Sequence, residues 1–141
     1  MYKSIRYGGV LISLLILAGM VDQFLAPETT STMRERAQSY AEETIGEQPR
    51  NQFEFDGCTL WPDQVFGSNF SGACLEHDIR YWVGGTEQMR KEADLALVES
   101  IGHTGTFGEF LAPIMYVGVR TFGDSALTKL VGANWGFGYN K

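Results

Sequence analysis

The sequence predicts a small, mainly α-helical domain in which a pair of antiparallel helices is tied by one disulfide to an irregular loop. Apolar residues recur at helical spacing between Ala73 and Trp82, and the following Gly84-Gly85 pair is typical of a tight turn. Only two cysteines occur, Cys58 and Cys74. A chain of 141 residues has room for one such domain, so a second domain is not expected.

The N-terminal segment has the pattern of an export signal. The apolar run of residues 10–21 follows Lys3 and Arg6, as an h-region follows a positive n-region. We expect residues 1–26 to be a signal peptide or a membrane anchor, with export to the periplasm or the extracellular space. No clean small-residue cleavage site follows the run, which favours an anchor over residues 8–25 slightly more than a cleaved signal.

Behind this segment the chain divides into a spacer and a domain. Residues 27–50 are polar, and capping residues followed by helix formers predict a spacer helix from Ser31 to about Ile45. Its narrow apolar stripe also leaves open that this helix docks on the domain. The domain is expected to cover residues 51–141.

The charge of the chain restricts its partners. A net charge of −6, without a basic stripe, is opposite to the footprint that nucleic-acid binding usually needs. A nucleic-acid partner is therefore not expected. Contact with an anionic lipid surface would have to come from apolar side chains or from a bridging divalent cation.

The cysteines are expected to join a loop to a helix. Between Gln52 and Gly72, aromatic residues alternate with turn formers, which predicts an ordered irregular loop without strands. An even pair of cysteines behind an export signal favours a Cys58–Cys74 disulfide. A shared metal ion is the alternative, but the spacing is not that of a zinc site.

Two helices follow the loop. The first, Ala73 to Trp82, has one apolar face, and its other face carries the reactive side chains Cys74, His77, Asp78 and Tyr81. Thr86 is a predicted N-cap for the second helix, which runs to about Ile101. The short turn makes the helices antiparallel, so that His77 and Asp94 lie at similar heights.

The C-terminal part is expected to complete the domain. The apolar segment Thr106 to Phe122 predicts a helix kinked by Pro113. Residues 132–139 interleave glycine with Trp135, Phe137 and Tyr139. We expect this tail to fold back over the core rather than to form an aromatic patch that touches a membrane.

The helix pair carries side chains suited to hydrolysis. An imidazole can accept a proton from water near neutral pH when a carboxylate fixes its tautomer, and Asp94 is placed to do so for His77. Asp78 is then free to bind a hard cation such as calcium, which accepts carboxylate and carbonyl oxygens. The predicted disulfide tethers the Asp56-Gly57-Cys58 loop to the same helix.

The joint pattern resembles the secreted phospholipase A2 superfamily, and its short prokaryotic and fungal branch most of all. The matching residues lie between about 53 and 101: Asp56-Gly57-Cys58-Thr59, Pro62-Asp63, Phe66-Gly67, Phe70, Ala73-Cys74, His77-Asp78, Tyr81, Arg90 and Ala93-Asp94. The resemblance implies calcium-dependent hydrolysis of phospholipid acyl esters, with lipid degradation as the role and a phospholipid membrane as the substrate.

The family also implies a role for each site residue. His77 would be the general base, Asp94 its orienting carboxylate, and Tyr81 a support for Asp94. Asp78 and Asp56, with the carbonyl of Gly57, would bind calcium. The glycine-rich calcium loop of the animal enzymes and a second disulfide are absent from this chain.

Two other functions fit the same residues. The scaffold could serve as a non-catalytic lipid- or protein-binding module anchored at a membrane, or as a hydrolase that uses another divalent metal. The complete set of His77, Asp78 and Asp94 favours an enzyme over a binding module. The remaining charged residues of the helices are expected to be surface or helix-end residues: Glu76, Arg90, Glu92, Glu99 and His103.

Overall fold

The computed structural model describes residues 28–58 and 61–139, and it is mainly helical. Its helices are α1 (Thr30–Thr44), α2 (Ser71–Val83), α3 (Glu87–Gly102), α4 (Thr106–Phe122) and α5 (Ala126–Leu130), and a short 3-10 helix covers Phe137–Tyr139. The predicted export or anchor segment, residues 1–26, lies outside the described residues. Within them, no helix is long and apolar enough to cross a membrane.

The predicted helix pair is present as α2 and α3. The Thr86 side chain accepts a hydrogen bond from Met89 N at 3.2 Å and so caps α3, as expected. Gly84 ends α2 at a φ of +71°, where a Cβ would approach the Cα of Gly136 to 2.5 Å. Glycine therefore gives the turn its backbone conformation and also lets the C-terminal tail pass close to it.

The predicted spacer helix is an integral part of the domain. In α1, Ala37 and Ala41 are fully buried. They belong to a core cluster that also contains Phe53 from the loop and the apolar face of α2, namely Leu75, Ile79, Trp82 and Val83. Small alanine side chains let the two helices approach closely, and α1 covers the apolar face that α2 would otherwise expose.

A second core cluster lies on the other side of α2. It joins the loop to α2, α3 and α4 through Cys58, Phe70, Cys74, Leu97, Ile101, Leu111, Ala112 and Met115. The predicted Cys58–Cys74 disulfide is confirmed and lies within this cluster. The disulfide therefore fixes the loop against α2 from inside the core.

The loop contains one feature that the sequence did not predict. Two strands of two residues each, β1 (Gln64–Val65) and β2 (Ser68–Asn69), form a small antiparallel hairpin. Elsewhere between residues 52 and 70 the described loop is irregular, as expected. The hairpin returns the chain to the start of α2, where Phe70 N donates to Asp63 O at 2.8 Å.

The C-terminal tail folds back over the domain, as predicted. Gly136 N donates to Tyr81 O at 2.6 Å, and the Trp135 indole donates to Gly85 O at 3.0 Å. Asn51 N donates to Gly138 O at 2.9 Å. These bonds attach the tail to the end of α2, to the turn and to the start of the domain.

Candidate functional site

The two helices of the pair bring His77 and Asp94 together. Nε2 of His77 lies 2.9 Å from Oδ1 of Asp94, where its N–H donates to the carboxylate. Because the proton of a neutral imidazole is then on Nε2, Nδ1 keeps its lone pair. Nδ1 lies 4.0 Å from Oδ1 of Asp78. The ring is therefore oriented from behind, and its basic nitrogen lies on the side of Asp78.

Asp94 is fully buried, and both of its oxygens are hydrogen-bonded. Tyr81 Oη donates to Oδ1 at 2.8 Å, and Arg120 Nη1 donates to Oδ2 at 2.7 Å. Burial alone would raise the pKa of this carboxyl, but the hydrogen bonds from His77, Arg120 and Tyr81 together outweigh burial and lower the pKa below 3.8. Asp94 is thus held as a charged acceptor.

Arg120 is a site residue that the sequence analysis missed. It reaches Asp94 from α4 and also bonds Glu87 at the start of α3, which lowers the pKa of Glu87. Its main-chain oxygen accepts a hydrogen bond from Arg90 at 3.1 Å. Arg120 and Glu109 are the two charged residues of the otherwise uncharged α4, and a cation in so apolar a segment is the signal that could have indicated a buried partner.

Arg90 also has more contacts than expected. We expected Arg90 at the surface, but its side chain is buried, and it lies 3.6 Å from Glu87 and 3.9 Å from Asp124. Arg90 therefore joins α3 to the residues that follow α4, and it steadies the segment that carries Arg120.

Tyr81 is enclosed by three elements. Its ring centroid lies 4.2 Å from that of His77 and 5.0 Å from that of Trp135. A Cβ at Gly123 would lie 2.2 Å from Tyr81 Oη, so glycine at this position leaves room for the hydroxyl. Burial, together with the charge of Asp94, raises the pKa of Tyr81. Tyr81 therefore stays protonated and donates to Asp94.

Asp78 is the other carboxylate beside His77, and its environment is acidic. Its side chain is 22 % exposed, and among the described residues no group donates a hydrogen bond to it. Burial, and then the negative charge of Asp56, raise its pKa to about 8. The charge of Asp56 therefore acts on Asp78, and carboxylates are the ligands that a hard cation prefers.

The loop beside Asp78 is shaped by Asp63. The Asp63 carboxylate accepts a hydrogen bond from Cys58 N at 2.7 Å. Gly57 has a φ of +94°, and a Cβ there would approach Asp63 Oδ1 to 2.6 Å. Glycine is thus required both for the backbone conformation and for the contact with Asp63. Asp63 belongs to the sequence motif, but the pattern did not indicate this role.

The described residues contain no group of three or more His, Cys, Asp or Glu side chains that could hold a metal ion. A cation beside Asp78 and Asp56 would therefore need main-chain carbonyl ligands, for which Gly57 is the candidate. Oxygen ligands in an irregular loop suit calcium and disfavour zinc. The residues present are compatible with calcium.

A groove of about 510 Å³ lies elsewhere, between α1 and α2. Its lining includes Arg36, Glu76, Ile79 and Arg80 and none of the predicted site residues. Glu76, which we expected to be solvated, pairs there with Arg36. His103 ends α3, as predicted for a helix-end residue.

Comparison with known proteins provides no family for this chain. No family model, no curated protein and no solved structure matches it.

Proposed function

We propose that the protein is a calcium-dependent hydrolase of phospholipid acyl esters, of the phospholipase A2 type. The observation that carries this proposal is the orientation of His77. Its Nε2 is bound to the buried Asp94, and its Nδ1 lies toward the acidic pair of Asp78 and Asp56. A base and a candidate cation site therefore face the same small region, which supports hydrolysis by an activated water.

His77 would act as the general base. Its Nδ1 accepts a proton from water while the water oxygen attacks the ester carbonyl carbon. Asp94 stabilises the imidazolium that forms, and Tyr81 and Arg120 hold Asp94 in place. When the intermediate collapses, the same proton passes to the oxygen of the leaving alcohol. No acyl-enzyme is needed, because water is the nucleophile.

Asp78, Asp56 and the carbonyl of Gly57 would hold calcium. A bound calcium ion supplies positive charge that binds the substrate phosphate and polarises the ester carbonyl. The chain contributes the rigidity of the site, since the Cys58–Cys74 disulfide joins the loop that carries Asp56 to the helix that carries Asp78.

The finer description of the fold belongs to the same proposal. A disulfide between an irregular loop and a helix pair that carries His77 and Asp94 supports a phospholipase A2-like architecture. Export across a membrane, with residues 8–25 as a tether, is proposed from the N-terminal sequence alone.

The test is release of fatty acid from mixed phospholipid vesicles by the full chain, with calcium and then with excess chelator. We expect calcium-dependent release that falls by at least about a hundredfold in His77→Ala, since general-base catalysis contributes about 10²–10⁴. His103→Ala is the matched control, because His103 is the other of the two histidines and is exposed. Helical circular dichroism checks that each variant is folded.

Three results would contradict the proposal. Release that survives His77→Ala would remove the general base, and no release from a folded wild-type chain would favour the binding module. His77 is only 9 % exposed, and this burial is the observation that favours the non-catalytic binding module over an enzyme. Release supported by another divalent metal and not by calcium would favour the metal alternative.

A further inference from the structure

The outer face of α4 is apolar and exposed. Phe110, Ile114 and Val117 are 66 %, 50 % and 63 % exposed, respectively. Their spacing of four and three residues places them on one side of the helix. A monomeric protein surface rarely leaves such a row uncovered, so this face is a candidate for an interaction surface.

The same face carries no charge. Thr106, Pro113 and Thr121, which are also exposed, complete it on the helical wheel. Of the two charged residues of α4, Arg120 turns inward to Asp94, and Glu109 lies about 100° around the helix from Phe110. A partner of this face therefore contributes apolar groups and not counter-charges.

The apolar surface continues onto the hairpin. Phe66, at the tip between β1 and β2, is 87 % exposed, and its ring centroid lies 5.0 Å from that of Phe107 in the first turn of α4. The hairpin directly follows the loop that carries Asp56 and Asp63. We call the surface formed by Phe66, Phe107, Phe110, Ile114 and Val117 the α4 face.

The chain length before α1 limits how far the domain can lie from a membrane. The apolar run ends at Val21 and α1 begins at Thr30, which leaves the eight residues 22–29 between them. Fully extended, eight residues span at most roughly 30 Å. Because α1 is packed into the domain through Ala37 and Ala41, it cannot lengthen this connection.

From these observations we propose that the α4 face lies on the surface of a phospholipid bilayer, with its apolar side chains among the lipids. A tether this short keeps the domain beside the bilayer, and an uncharged apolar face is the contact that a chain of net charge −6 can make with lipid. The proposal rests on the proposed tether and does not require ester hydrolysis.

The test uses the full chain in phosphatidylcholine vesicles with a fluorescent label that reports polarity. The label is a nitrobenzoxadiazole group on Val117→Cys, since both native cysteines are in the disulfide. Leu95→Cys on α3 is the matched control, because Leu95 is also an apolar side chain about half exposed. We expect blue-shifted emission at position 117 that is quenched by brominated acyl chains, and neither effect at position 95.

A second variant separates this contact from the tether. Phe110→Asp should abolish quenching at position 117 while the chain stays with the vesicles and keeps its helical circular dichroism. Emission at position 117 equal to that at position 95 would overturn the proposal. So would a blue shift that grows with protein concentration and is not quenched by brominated lipid, because that result identifies a second copy as the partner.

Discussion

Asp94 and Asp78 lie on either side of the His77 ring, yet the protein surrounds them in opposite ways. Asp94 accepts hydrogen bonds from His77, Tyr81 and Arg120, and its pKa is lowered. Asp78 accepts none from the described residues, and burial beside Asp56 raises its pKa to about 8. One carboxylate is held charged by donors from the chain itself, whereas the other lacks such donors among the described residues and holds its proton more tightly.

The difference divides the site into two halves. The fold completes the half that contains Asp94 with its own groups, and it does not do so for the half that contains Asp78. A buried charge is tolerated when donors and an opposite charge replace the lost water, as α4 does for Asp94 through Arg120. No such cation reaches Asp78 from the described residues. The orienting half is therefore built from protein groups alone, and the Asp78 half is the one that the proposed calcium ion would complete.

The largest difference between the two carboxylates is expected when each is exchanged for an amide. Asp94→Asn should lower the free energy of unfolding by about 3–5 kcal/mol, because it breaks a buried ion pair. Asp78→Asn should be neutral or stabilising without calcium, because it removes a carboxyl whose ionised form is disfavoured by burial and by the charge of Asp56. Urea unfolding in chelator measures both. Equal losses from the two variants would contradict the comparison.

The disulfide affects only one of the two halves. Replacing Cys58 and Cys74 together with serine should cost about 3 kcal/mol, the chain-entropy value for a loop of this length. The loss should be accompanied by loss of calcium binding, since Asp56 is no longer held beside Asp78, while Asp94 keeps its donors. Thermal unfolding and calcium titration follow the two effects. The double variant should be insensitive to reductant, which provides the control.

Calcium should stabilise the half that lacks a counter-charge. At a calcium concentration of a hundred times Kd, the free energy of unfolding should rise by about 2.7 kcal/mol. Asp78→Asn should abolish this increase, and Asp124→Asn should keep it, because Asp124 lies near Arg90 and Lys129 and not at Asp78. A wild-type protein indifferent to calcium would contradict calcium binding at Asp78.

The smallest effect concerns the acid stability of the compensated half. The pKa of Asp94 is lower in the folded protein than the value of 3.8 in the unfolded chain, so Asp94 stabilises the fold fully at pH values above 3.8. This stabilisation is lost as the pH falls through the pKa of the folded protein. Arg120→Gln should raise the pKa of Asp94 in the folded protein, so the acid-unfolding midpoint should move to higher pH. Each unit of this pKa change corresponds to about 1.4 kcal/mol in the free energy of unfolding. Arg120→Lys should restore part of the shift. An unchanged midpoint would show that Arg120 does not hold Asp94.

Local features of the sequence predicted the helix pair and the proximity of His77 to Asp94. A turn of three residues places the two helices side by side. The helical period of 3.6 residues then determines which of their side chains meet. The disulfide was predicted because only two cysteines are present. These predictions needed no knowledge of the remaining fold.

Contacts between residues that are far apart in the sequence could not be predicted from such local features. Arg120 is 26 residues from Asp94, and their ion pair depends on how α4 rotates against α3. The docking of α1 was left open because the residues that it buries fully are alanines, which together with the partly buried Met33 and Tyr40 give only a narrow apolar stripe. The hairpin was missed because strands of two residues have no readable alternation.

The position of Arg120 determines the order in which the site can be assembled. Every residue of the motif, from Asp56 to Asp94, leaves the ribosome before the cation that neutralises Asp94 and before the tail that encloses Tyr81. Until α4 has been synthesised and docked, closing α2 on α3 gives Asp94 the hydrogen bonds of His77 and Tyr81 but not the positive charge of Arg120. The His77–Asp94 pair should therefore be weaker before α4 docks. A fragment that ends at residue 101 should form this pair less completely than the full chain.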